Sequence, residues 1–289
     1  MKGPVLLMLG IGLFGVLDAN SKFLSAEFSA AQAIFLRHAT LLLILFGLRA
    51  LWREAGGPFR TAHPRLHALR AVAMLFSGVF FFTAFRHLPL ADGYLVFFTA
   101  PFLTIILAQW FLGERAPRAA WVWSGVGFGG VALALVPSLA GGGSALGFLC
   151  AGLGTLCYAV NITVNRGLRA ESGLARLILF PSTLGLLATA PFAAWHWVPP
   201  DAVQWGQLAL NGVLAGAATL TLALAFRHAS AARLAPFEFI ALPWSVFLDW
   251  SVFGNAPEAA VIAGGCVVAW ACWMSERAVM RQAMSSGKR

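Results

Sequence analysis

The chain has 289 residues, 60% of them hydrophobic and only 11% charged, with mean hydropathy +0.79 and a formal net charge of +9. Soluble domains carry about 25% charged residues, so this composition excludes a water-soluble globule. It also lacks a phosphate-binding loop and a His-Glu-x-x-His pattern, which argues against an ATP-driven machine and a metalloprotease.

A helix needs about 20 apolar residues to cross hydrocarbon. Runs of that length predict ten spans, at 4–24, 31–52, 67–87, 91–112, 119–138, 145–166, 174–197, 203–226, 231–253 and 257–276. Span 1 follows Lys2 in the manner of a signal peptide. It carries Asp18 and lacks a small-x-small cleavage site, so it is expected to be retained. Gly10, Gly12 and Gly15 on this span permit close helix approach. Asp18 and Lys22, four residues apart, can share a face.

Ionisable groups at membrane depth cost at least a few kcal/mol and are functional candidates for that reason. In span 2 these are Arg37 and His38, and in span 9 Glu238 and Asp249. Arg37 and Asp249 read equally well as helix-pairing groups. Asp18 and Glu238 enter the candidate site. Spans 3 and 4 concentrate aromatic residues; Phe76 shares a face with Phe80, as Tyr94 does with Phe97 or Phe98 and Pro101, and Phe80, Tyr94 and Phe98 are taken as candidates for a stacking wall. In span 6, Tyr158, Asn161 and Asn165 stand at i, i+3 and i+7, one side of a helix. Their amides and hydroxyl need protein partners or a watery cavity. Trp244 lies deep in span 9, whereas every other Trp falls near a span end, where indole rings prefer to sit. On this reading Trp244→Ala and Asn161→Ala impair activity without lowering membrane abundance. The four cysteines (Cys150, Cys157, Cys266, Cys272) show no metal or disulfide spacing and read as small buried apolar residues.

Charge fixes an orientation. Of the 20 Lys and Arg residues, all but Lys22, Arg37 and Arg86 fall in segments that face inward when both termini are cytoplasmic. The positive-inside rule therefore predicts ten spans, N-in and C-in. The basic charge is topology, not a nucleic-acid footprint. Arg in excess of Lys, with abundant Ala and Gly, suits a GC-rich bacterial gene, and thus a bacterial inner membrane.

The chain also repeats itself. Ala84-Phe85-Arg86-His87 returns as Ala225-Phe226-Arg227-His228, and each copy is followed by Pro (Pro101, Pro243), Gly (Gly113, Gly254) and Pro (Pro117, Pro257). The expected domains are 1–138 and 145–289, joined by Gly141-Gly142-Gly143-Ser144. Five spans per half is odd, so the second half enters the membrane inverted. Inverted repeats are a construction of secondary transporters, with the solute site between the halves. A Pro within a helix frees the carbonyl four residues earlier, so Pro101 and Pro243 mark paired kinks beside that site.

These residues resemble the EamA-type drug/metabolite transporters along the full length, and more narrowly the bacterial aromatic amino-acid exporter branch of YddG type. The resemblance rests on Phe35-Leu36-Arg37, Ala100-Pro101-Phe102, Gly113-Glu114, Gly125 and Gly130-Val131. Asn255 departs from it, standing where the family usually has Glu, and Pro243 to Gly254 is one residue shorter than Pro101 to Gly113. The resemblance implies export of amino acids or similar small metabolites.

The expectation is therefore an all-α membrane protein with ten transmembrane helices in two inverted five-helix repeats. It exports aromatic and other neutral amino acids, or similar metabolites, by alternating access. The alternative is a proton-coupled multidrug exporter using Asp18 or Glu238; an intramembrane enzyme ranks lower, because no Ser–His arrangement stands out. No cofactor, metal or nucleic acid is expected. The partners are a small-molecule substrate and the lipid bilayer, and one chain holding both repeats can act as a monomer.

Overall fold

The computed structural model describes residues 2–53, 56–88, 90–114, 116, 118–140, 144–168, 171, 173, 175–254 and 259–286. Pro117, the Gly141–Gly143 part of the linker, Asn255 and Pro257 lie outside the described residues. The helices are α1 (Lys2–Ser25), α2 (Ala30–Leu51), α3 (Pro64–His87), α4 (Leu90–Phe97), α5 (Ala100–Leu112), α6 (Arg118–Ala140) and α7 (Ala145–Gly167). They continue as α8 (Ala175–Trp195), α9 (Ala202–His228), α10 (Ala231–Leu234), a 3-10 segment (Ala235–Ile240), α11 (Ala241–Phe253) and α12 (Ala259–Ser286). Among the described residues, six helices are long and apolar enough to cross a membrane: α1, α2, α3, α7, α8 and α9. The outer faces suit lipid: Leu43, Leu51, Phe111 and Trp110 are each more than 70% exposed.

Two predicted spans are interrupted rather than kinked. Span 4 divides into α4 and α5 at Phe98-Thr99, and span 9 into α10, the 3-10 segment and α11. The cause is proline, acting upstream of its own position. Pro101 has no N–H for the Phe97 carbonyl, so α4 closes with Phe98 N–H on the Tyr94 carbonyl (3.0 Å) and Thr99 N–H on that of Val96 (3.0 Å). Pro243 likewise leaves the Phe239 carbonyl without its helical donor. The Ala241 N–H is shared between the Glu238 and Phe239 carbonyls, and the three-residue bond to Glu238 is 3-10 geometry. Each proline then sits in the first turn of the resumed helix, where its missing N–H costs nothing. Gly113 (φ 65°) and Gly254 (φ 73°) end α5 and α11 in the left-handed conformation.

The helices pack mainly across the chain's midpoint. α1 runs along α9, α3 along α7, α2 along α8 and α6 along α12; α4 and α5 flank α7, while the 3-10 segment and α11 flank α1. Small residues allow the close approaches. A Cβ on Gly212 of α9 would stand 2.6 Å from the Thr40 Cβ and 3.0 Å from the Arg37 carbonyl of α2. Cys150 is buried and Cys157 half-buried, but Cys266 faces outward on α12, contrary to the buried reading. A lipid-facing thiol needs no partner, because hydrocarbon is as apolar as a core.

One end of the bundle gathers the basic residues. Glu171, between α7 and α8, accepts from Thr61 Oγ1 (2.7 Å) and Ala62 N–H (3.0 Å), meets His67 Nε2 at 3.0 Å and pairs with Arg176. Arg176 Nε donates to the Pro58 carbonyl at 3.0 Å, and Arg227 Nη2 to the Glu171 carbonyl at 3.0 Å. The α2–α3 connection is thereby tied to the α7–α8 connection. Nearby, Arg166 pairs with Glu114 (2.6 Å) and caps the Phe226 and Ala229 carbonyls at 2.7 and 2.8 Å. At the opposite end, Gln32 exchanges hydrogen bonds with the Val198 backbone at 2.6 and 3.0 Å, and Gln204 donates to Glu27. One end is latched by charge, the other by amides.

Burial opposes ionisation of Glu171, but Thr61, His67, the Ala62 N–H and the Arg176 charge outweigh it and hold its carboxyl at about 2, below the ordinary 4.5. A depressed carboxylate stabilises the folded state fully above the ordinary value and loses that contribution as pH falls through about 2. The melting temperature of the wild type should therefore exceed that of Glu171→Gln by a constant margin from neutral pH down to 4.5, narrowing only in stronger acid. A margin that already shrinks near neutrality would contradict this.

Candidate functional site

A cavity opens between α1, α2, α3, α4, α7 and α9, with roughly 1090 Å3 of empty space, its mouth included. Its polar wall carries Asp18 and Ser21 of α1, Arg37 and His38 of α2, Tyr94 of α4, and Tyr158 and Asn161 of α7. Adjoining it is a wall of rings: Phe81, Phe85 and Phe97, with Phe14 and Phe82 also on the lining. Phe81 and Phe85 stack at 5.8 Å, Phe85 and Tyr94 at 5.9 Å, and Phe97 meets Tyr158 edge-on at 4.9 Å. An apolar body with a few convergent polar groups is the usual build of a small-molecule site.

The polar groups are held by neutral neighbours. Tyr94 Oη donates to Asp18 Oδ2 at 2.6 Å. Arg37 Nε donates to Asn211 Oδ1 at 2.7 Å and its Nη2 to Ser21 Oγ at 3.2 Å. Asn211 Nδ2 in turn donates to Asn20 Oδ1 (2.9 Å) and Ser21 Oγ (3.0 Å), so α1, α2 and α9 share one network. His38 Nδ1, Tyr158 Oη and Asn161 Oδ1 are buried with no hydrogen-bond partner among the described residues. Buried polar atoms are rarely left unpaired, and all three residues stand on the cavity wall. They point to a solute or water as the missing partner.

The cavity brings together Asp18, Tyr94, Tyr158 and Asn161 from the sequence-stated candidates. Asn165 lies buried further along α7, off the cavity wall. Phe98 is fully buried behind the ring wall, against Tyr94 and Phe239, and Phe80 turns away to stack on Phe76 at 5.9 Å. Glu238 is 0% exposed in the 3-10 segment, and neither carboxyl oxygen has a hydrogen-bond partner among the described residues. It does not reach the cavity wall. Trp244 is seated against α1, donating to the Gly12 carbonyl at 2.9 Å, outside the cavity. Pro101 and Pro243 open α5 and α11 as described above. Lys22 pairs with Asp249 at 3.9 Å rather than with Asp18.

Sequence reasoning left Arg37 and His38 undecided and Phe97 open against Phe98, and it did not place Ser21, Asn211, Phe81 or Phe85 in the site. An amide at mid-span was available as a signal at Asn211, because lipid cannot satisfy it. For the rings no signal existed, since Phe80 and Phe81 are neighbours that differ only in which way they turn.

The apolar, membrane-length helices are those of a multi-pass membrane protein. Residues 1–136 match the EamA-like transporter family. The chain is 29% identical over 274 residues to the pseudopaline exporter CntI of Pseudomonas aeruginosa, covering 94% of each. It is 28% identical over 291 residues to a riboflavin transporter of Rhizobium johnstonii, covering 97% of this chain and 92% of that one. A solved crystal structure superposes with TM-score 0.74 over 95% of this chain and 96% of that chain at 17% identity, which speaks to the fold alone. The chain is thus similar to EamA-like transporters over its first 136 residues and to these relatives along nearly its whole length. Both relatives are small-metabolite transporters, in keeping with a non-enzymatic reading. Neither is an aromatic amino-acid exporter, so that narrower branch stays a proposal.

Proposed function

We propose that the chain crosses the bacterial inner membrane ten times, as two five-span halves (1–138 and 145–289) of opposite orientation. It exports amino acids, aromatic and other neutral, or similar small metabolites by alternating access. The observation that carries this reading is the cavity itself: a ring wall adjoining a polar wall with unpartnered groups, built by helices of both halves. The packing supports the repeat. Exchanging the halves turns the α1–α9 pair into α7–α3, and maps α2–α8 and α6–α12 onto themselves. The interruptions before Pro101 and Pro243, and the left-handed Gly113 and Gly254, recur in step. Under the same exchange the charged latch at one end corresponds to the amide latch at the other, which is what two alternately opening gates require.

The test is flux of radiolabelled Phe, Trp, Thr and Met through liposomes holding the purified protein, with and without a pH gradient. Saturable flux that ignores the gradient establishes a facilitative carrier. Flux that needs the gradient favours the second reading, a proton-coupled exporter, which the cavity position of Asp18 supports. Tyr158→Phe and Asn161→Ala should each lower flux about tenfold at unchanged membrane abundance, the worth of one hydrogen bond to a bound solute. Full flux in both variants would remove them from the site.

A further inference from the structure

We propose that Asp18 and Arg37 form a two-point clamp for a free α-amino acid head, Asp18 receiving the ammonium and Arg37 the carboxylate. The inference rests on the transport reading above and adds what the site selects. Both side chains stand on the cavity wall, and both are partly exposed to it. They form no ion pair with one another within 4.0 Å, whereas Lys22–Asp249, Arg166–Glu114 and Arg176–Glu171 do. Two opposite charges in one low-dielectric cavity, left apart, are each costly. A solute carrying both complementary charges relieves both.

Each group is oriented by neutral neighbours and keeps capacity for a ligand. The Tyr94 hydroxyl fixes Asp18 Oδ2, while Oδ1 accepts no hydrogen bond among the described residues. Asn211 and Ser21 take Arg37 Nε and Nη2, while Nη1 makes none and turns towards Gly78, where a Cβ would stand 3.5 Å away. Arg37 reaches α1 at Ser21, three residues from Asp18, so both charges meet the same stretch of the cavity wall. An ammonium and a carboxylate on a single carbon can each take one of them by a charge-assisted hydrogen bond. Tyr94 joins the clamp to the ring wall through Phe85, so a side chain leaving the same carbon meets Phe81, Phe85 and Phe97. The site therefore reads a zwitterionic head at one end and an apolar or aromatic side chain at the other.

Three probes separate the contributions: L-phenylalanine, 2-phenylethylamine, which lacks the carboxylate, and 3-phenylpropanoate, which lacks the ammonium. Calorimetric titration of the purified full chain in nanodiscs should show L-phenylalanine binding at least tenfold tighter than either. Arg37→Gln should weaken L-phenylalanine at least tenfold and leave 2-phenylethylamine unchanged. Asp18→Asn should do the mirror image, sparing only 3-phenylpropanoate. A merely structural role would weaken all three probes alike in each variant, and that result overturns the clamp. So do equal wild-type affinities for the three, or no binding of L-phenylalanine. If Arg37→Gln or Asp18→Asn fails to fold, Arg37→Lys and Asp18→Glu replace them, and loss of probe discrimination is read in the same way. Wild-type liposome flux keeps the two readings distinct. Flux of solutes without a zwitterionic head, with no preference for L-phenylalanine, overturns the clamp and leaves the transporter standing. Mirror-image binding without any flux supports the clamp and overturns the transporter.

Discussion

Replacing Glu171 with alanine is expected to unlatch the charged end of the bundle and raise access to the cavity from that side at least tenfold. Glu171 is the one carboxylate meeting Thr61, the Ala62 N–H, His67 and Arg176, and it joins segments on either side of the chain's midpoint. The side chains of His67 and Arg176 are only 2% and 7% exposed, so removing Glu171 takes the partner of buried His67 Nε2 and one of the partners of Arg176. Breaking a buried pair from one side costs about 3–5 kcal/mol. A conformation in which the α2–α3 and α7–α8 connections have parted does not bear that penalty. Since 1.4 kcal/mol is tenfold, the balance between closed and open states should move by a hundredfold or more. The measurement is thiol labelling, from the side of the membrane at the charged end, of a cysteine placed at Ala215, a buried cavity-wall position, with the native cysteines changed to serine. Unchanged labelling in Glu171→Ala would show that the network binds loops without governing the gate. Glu171→Gln, which keeps an acceptor for Thr61 and Ala62, should fall between.

Trp244→Ala should behave in the opposite manner, lowering the amount of folded protein and sparing transport per folded molecule. The ring donates to the Gly12 carbonyl at 2.9 Å and stacks on Phe247 at 5.4 Å. It fills a space that Gly15 leaves open, where a Cβ would stand 2.7 Å from the indole nitrogen. Truncating a packed Trp to Ala costs about 3–5 kcal/mol, a large share of the 5–15 kcal/mol that holds a typical protein folded. Lipid chains can refill part of the gap, which places the expected loss towards the lower figure. The readouts are the folded fraction by size exclusion in detergent and liposome flux normalised to it. Normal abundance with lost flux would mean that the indole reaches the solute path.

Much of the architecture follows from composition and local chemistry. The positions of α1 to α3 and α7 to α9 were legible because twenty-residue apolar runs have few other fates. Pro101 and Pro243 located the interruptions, although the breaks fall before the prolines, where the freed carbonyls are, rather than at them. The stripe at Tyr158 and Asn161 was legible because lipid gives amides and hydroxyls no partner. Asp18 stood out for the same reason.

Tertiary structure alone decided which apolar face turns inward. In water, polarity contrast marks the buried side of a helix; in a bilayer, lipid and core are alike apolar and that contrast disappears. Hence Phe81 lines the cavity while its neighbour Phe80 does not, and Trp244, deep in its span, packs on Gly12 and Gly15 outside the cavity. Partners distant in sequence were equally hidden. Arg37 with Asn211, Asp18 with Tyr94 and Glu171 with Thr61 are pairings that only the packed helices bring within hydrogen-bond reach.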